Sequence, residues 1–153
     1  MINNYLMAHD YAAIVTFSLV VVVGLIVSVF FSWSMYKALK LVPVEHYIFP
    51  RWFVWLMIIP VVGLFFQWMM LPFGIPQAFE KTVAGNEAGV RDAKKLFALG
   101  LAFVILVTLG IIPFFGFLTG IAGLIIWIIY WYQVVQFRQT YLDHRTQSKV
   151  TAQ

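Results

Sequence analysis

Four apolar runs, residues 12–35, 52–71, 96–112 and 117–135, contain no Asp, Glu, Lys, Arg or His. A run of this kind constrains the fold more than any motif in the chain. A hydrocarbon layer about 30 Å thick is crossed by about 20 helical residues. Within it every backbone N–H and C=O must be paired inside the protein, which helices achieve locally. The remaining sequence cannot offset this apolar surface. Charged residues are 10% of the chain and hydrophobic ones 63%, against about a quarter and about a half in soluble domains. Too few charges remain to coat a water-facing globule, so most of the surface calls for lipid.

This reading predicts an all-α integral membrane protein, a single domain over residues 1–153 with four transmembrane helices in a compact bundle. A polar amphipathic loop at 77–95 joins the second and third segments, and a polar tail covers 136–153. The first eleven residues hold no Lys or Arg, and the run behind them exceeds the 7–15 residues of a signal-peptide core. It reads as a retained helix.

The second segment has an alternative. Pro60 and Gly63 lie near its centre, and Ile58–Phe65 echoes Ile111–Leu118: both read Ile-Ile-Pro-x-x-Gly followed by two large apolar residues. If the second copy is a turn, the first can be one too. The fold would then be three spans plus a re-entrant hairpin at 52–71. Charge placement bears on the choice. Four spans with both termini inside put seven basic residues in the cytoplasm and three outside, whereas the hairpin puts all ten inside. Against the hairpin, twenty residues flanked by Trp52, Trp55 and Trp68 suit one crossing with aromatic side chains at both interfaces. Four spans are the expectation.

Small residues mark candidate helix-packing faces. Gly24, Ser28 and Ser32 are spaced by four on the first run, and Gly116, Gly120 and Gly123 open the fourth. Such stripes let helices approach closely, although a serine can instead bond its own backbone. Lys81, Arg91, Lys94 and Lys95 in the polar loop form a candidate basic surface for anionic headgroups. The loop reads as two amphipathic helical pieces around Ala84-Gly85-Asn86, lying at the membrane surface.

Chemistry is harder to find. Cysteine is absent, which removes disulfides, thiolate nucleophiles and Cys-ligated metals. No G-x-S-x-G, H-E-x-x-H, Walker A or dinucleotide fingerprint occurs. An ionisable group inside a span is the usual mark of an ion or proton path, and none is present. His9 and His46 flank the first run and so cannot share a ligand within one chain. Gln67 and Thr108 either line a polar path or bond between helices.

The expectation is therefore a non-enzymatic protein without catalytic residues, metal or cofactor. It would act through helix–helix, lipid or partner contacts, as an accessory, assembly or envelope component. Its partners would be membrane lipids, a membrane protein or further copies of itself, and not nucleic acid: the net charge of +4 falls in loops facing headgroups. The alternative is an oligomeric small pore or carrier for an uncharged or lipidic solute. In composition the chain resembles small multi-pass inner-membrane proteins of bacteria, which implies a plasma-membrane location; the placement of basic residues puts the C-terminus in the cytoplasm.

Overall fold

The structure is a computed structural model that describes residues 2–59, 61–112 and 114–143, with side chains from Tyr11 onward. Pro60, Pro113 and the last ten residues of the expected polar tail lie outside the described residues. The described chain is helical throughout, joined by turns.

Helix α1 runs Ile2–Lys40. A short 3-10 turn, Val44–His46, leads to α2 (Phe53–Leu56) and α3 (Val62–Met69). A wide turn, Met70–Gly74, passes into α4 (Ile75–Thr82). Then come α5 (Glu87–Leu109) and α6 (Gly116–Phe137), the latter ending in another wide turn, Arg138–Asp143.

The four-span expectation is overturned. Two helical stretches, Tyr11–Lys40 and Gly116–Asp143, are long and apolar enough to cross a membrane, not four, and not three with a hairpin. The second apolar run fails because it is not one helix. It breaks after Met57, where Val61 takes a positive φ of 66°, and it folds back on itself. The Phe53 and Phe66 rings meet edge to face at 5.1 Å, and Gln67 Nε2 lies 3.4 Å from the Met57 carbonyl. Gly63 makes this reversal possible, since a Cβ there would fall 2.5 Å from the Met57 carbonyl oxygen. The third run fails on length. The uncharged part of α5, Leu96–Leu109, is about 21 Å at 1.5 Å per residue, short of the hydrocarbon thickness.

The first loop and the polar loop, on opposite membrane faces in the four-span arrangement, are neighbours. His46 Nδ1 is 3.1 Å from Thr82 Oγ1.

The polar loop folds as two helical pieces. Asn86 caps α5 by accepting a hydrogen bond from Gly89 N at 3.1 Å, which satisfies one of the free N–H groups of the first turn. The apolar stripe of the loop is covered by the protein itself. Phe79 and Val83 are buried, and the Phe79 ring stacks on Phe137 at 4.6 Å and 3°.

The core is built where α4, α5, the wide turn and the C-terminal half of α6 meet. Helix α5 buries Gly89, Ala93, Leu96, Gly100 and Val104, and α6 buries Thr119, Gly123, Tyr130, Val134 and Phe137. Both follow the three-to-four spacing of one helical face. Pro76 explains the wide turn before α4. It has no N–H to give Leu71, while Ile75 N–H bonds Met70 O across a longer loop. The Leu71 carbonyl is left to accept from Tyr130 Oη at 2.9 Å, a buried bond spanning 59 residues of sequence.

Candidate functional site

Charge gathers at one pole. Besides the His46–Thr82 contact, Glu80 lies 4.0 Å from Lys94, and Lys95 donates to Asp92 at 3.0 Å. Tyr141 Oη donates to the other Asp92 oxygen at 3.0 Å, tying the end of α6 to the start of α5. Lys37 lies over the Trp33 ring and Arg51 over Tyr36, at 5.2 and 5.9 Å. Tyr47 donates to the Leu39 and Val42 carbonyls that end α1, and burial raises its phenol pKa above the ordinary value. The hydrogen bond from Lys95 holds the Asp92 carboxyl below its ordinary range, aided by the bond from Tyr141. The turns between α2 and α3 and between α5 and α6, in contrast, expose apolar side chains: Val61 and Val62 at one, and Phe114, with Phe117 and Leu118 at the start of α6, at the other.

Helices α1 and α6 both run toward the charged pole, and there they touch. The Phe31 ring lies 5.0 Å from Trp127 and meets Trp131 edge-on at 5.8 Å. Away from this contact the helices part, leaving a cleft of about 780 Å³. Its walls are Val20 to Ser32 on α1, Phe103 to Gly110 on α5 and Gly116 to Trp127 on α6, with Met57, Gln67 and Leu71 at its base. No charged side chain lines it.

All six candidate packing residues lie on these walls. Gly24, Ser28 and Ser32 stand on the α1 side, and Gly116, Gly120 and Gly123 on the α6 side. A Cβ at Gly24 or at Gly120 would meet nothing within 4 Å. A Cβ at Gly116 would lie 3.2 Å from the carbonyl oxygen of Gly110, just past α5, and one at Gly123 would lie 4.0 Å from Leu106 Cβ on α5. Ser28 bonds its own backbone, donating to Gly24 O at 2.8 Å. Ser32 is buried.

Gly100 on α5 is packed as tightly as Gly63, here against the wide turn. A Cβ there would sit 2.5 Å from the Leu71 carbonyl oxygen and 3.0 Å from Pro72 N. Sequence reasoning missed it, though an isolated glycine inside an otherwise bulky run was a usable signal.

Gln67 and Thr108, the candidates for a polar path, divide. Thr108 bonds between helices, accepting from Trp68 Nε1 at 3.0 Å and donating to Val104 O. Gln67 lies on the cleft, and its Oε1 is shielded from solvent without a hydrogen-bond partner among the described residues. The four loop cations, Lys81, Arg91, Lys94 and Lys95, are exposed at the charged pole. Among the described residues no cluster of three or more His, Asp or Glu side chains is placed to hold a metal ion.

Compared with protein-family models, with curated proteins and with solved structures, the chain finds no match in any of the three, so its function has to be read from this geometry.

Proposed function

We propose that the chain is a small membrane protein of the bacterial plasma membrane that acts through lipid, helix or partner contacts rather than by catalysis. The observation that carries this reading is α1. From Tyr11 to Ile26 each residue is exposed, and only 6% of its most apolar stretch is buried inside the chain. The core helix of a soluble protein would be covered, because each large apolar side chain left in water costs about 1.5–3 kcal/mol. The last turns of α1 supply Phe31, Met35, Ala38 and Leu39 to the core of the folded unit.

Apolar turns at one end and clustered cations at the other support an insertion direction. The basic pole faces the cytoplasm, where Lys and Arg concentrate, and Lys81, Arg91, Lys94 and Lys95 lie at the level of anionic headgroups. The end of α6 joins that pole, so the C-terminus is cytoplasmic.

Alkaline extraction of membranes holding the tagged chain tests the reading. Retention in the membrane pellet is expected, together with bound lipid or protein on purification in mild detergent. Release into the supernatant would overturn it.

A further inference from the structure

We propose that the cleft between α1 and α6 binds an uncharged single-chain lipid whose head group donates a hydrogen bond, such as a long-chain alcohol or a monoacylglycerol. The head group of the lipid lies against Gln67. The proposal rests on the membrane reading above and names the ligand of the same cleft.

The cleft is of a size for one chain. Its α1 wall, Val20 to Ser32, is about 18 Å long at 1.5 Å per residue. It holds about 780 Å³, within the range of about 300–1,000 Å³ usual for small-molecule sites.

Polarity selects the head group. The lining lacks charge, so a phosphate or free carboxylate head would be desolvated with no compensating cation. Two of the hydroxyls on the walls are already committed, Ser28 to Gly24 O and Thr119 to Phe115 O. Ser32, buried on the α1 wall, also faces the cleft, and Gln67 Oε1 is a buried acceptor without a donor among the described residues. Buried carbonyls of this kind are ordinarily satisfied, and leaving one unpaired costs free energy. A hydroxyl donor on the ligand completes it.

Shape sets the direction of entry. Phe31, Trp127 and Trp131 close the charged-pole end. The free acceptor, Gln67 Oε1, belongs to the same lining. Gly24 and Gly120 leave the rest of the cleft wide and smooth, so a hydrocarbon tail slides in sideways from the bilayer.

Tryptophan quenching tests this, with the full chain in phosphatidylcholine nanodiscs. The probes are dibrominated stearyl alcohol and its methyl ether, which has the same tail and no donor. The site signal is the quenching that Trp127→Phe removes. The alcohol should reach half-quenching at a concentration about three- to tenfold below that of the ether, the worth of one hydrogen bond. Gln67→Leu should bring the alcohol to the value of the ether. Gly120→Leu, whose side chain enters open space, should weaken both probes while leaving helical content and melting temperature near those of wild type. Equal half-quenching by alcohol and ether in the wild type would overturn the proposal, as would probes indifferent to Gly120→Leu. Self-association lost in Gly120→Leu, with no probe preference, would assign the cleft to a second copy and overturn it equally. Either failure in a protein that still resists alkaline extraction leaves the membrane reading standing.

Discussion

Gly100→Ala tests the packing of this fold most directly. The added methyl would lie 2.5 Å from the Leu71 carbonyl oxygen, 2.7 Å from its carbon and 3.0 Å from Pro72 N. These are backbone atoms of the wide turn before α4 and cannot rotate aside. Helix α5 or the turn must move, and the turn also presents the Leu71 carbonyl to Tyr130 at 2.9 Å. Overpacking of this kind costs about 1–3 kcal/mol, and weakening the buried hydrogen bond adds about 0.5–1.5 kcal/mol. Alanine recovers about 1 kcal/mol by its better helix propensity. The net expectation is a loss of about 1–3 kcal/mol. In a chain of this length each kcal/mol moves the melting temperature by about 2–4 °C. Gly120→Ala is the control: the same chemistry in a helix, with nothing within 4 Å, and it should match wild type or exceed it slightly. Thermal unfolding in one detergent, followed by circular dichroism, compares the three. Wild-type stability of Gly100→Ala, or a larger loss at Gly120 than at Gly100, would refute the reasoning.

Tyr130→Phe leaves the Leu71 carbonyl buried without its donor and should cost about 1–3 kcal/mol; a melting temperature equal to wild type would show that the bond contributes nothing net. Asp92→Asn should flatten the acid limb of stability. The folded pKa of Asp92 lies below its ordinary 3.8, so its contribution is complete above that value and is lost as pH falls through the lower folded one. The pair with Lys95 is exposed, which keeps the effect small, and unfolding curves with the same pH dependence in both proteins would argue against it. Single cysteines replacing Val44 and Lys81, in a chain that has no other cysteine, should label alike with a membrane-impermeant thiol reagent. Both should be protected in intact cells and reactive in inverted vesicles, because His46 and Thr82 are neighbours. Opposite patterns would separate the two loops across the membrane.

The sequence by itself determined the apolar character of this chain and much of its local order. Runs free of charge require lipid or burial wherever they end up, and that requirement is additive along the chain. The reversal at Ala84-Gly85-Asn86 was legible because Asn and Gly act on adjacent backbone. So was the possibility of a turn inside residues 52–71, which the repeated Ile-Ile-Pro-x-x-Gly carried and which was outweighed by tryptophans suited to a crossing. The count of crossing helices was decided by tertiary structure. Whether twenty apolar residues form one helix or two antiparallel pieces depends on what Phe53 and Met57 find opposite them, here Phe66 and Gln67, and neither residue announces its partner. The same holds for the small residues. Gly24 and Gly120 have the spacing of a packing stripe, but contact also needs a second helix at the right distance. The Phe31–Trp127 junction instead holds α1 and α6 together at one end and lets them diverge at the other. Gly100 meets its partner because Pro76 widens a turn nearly thirty residues earlier, and through-space geometry of that kind is written in no local pattern.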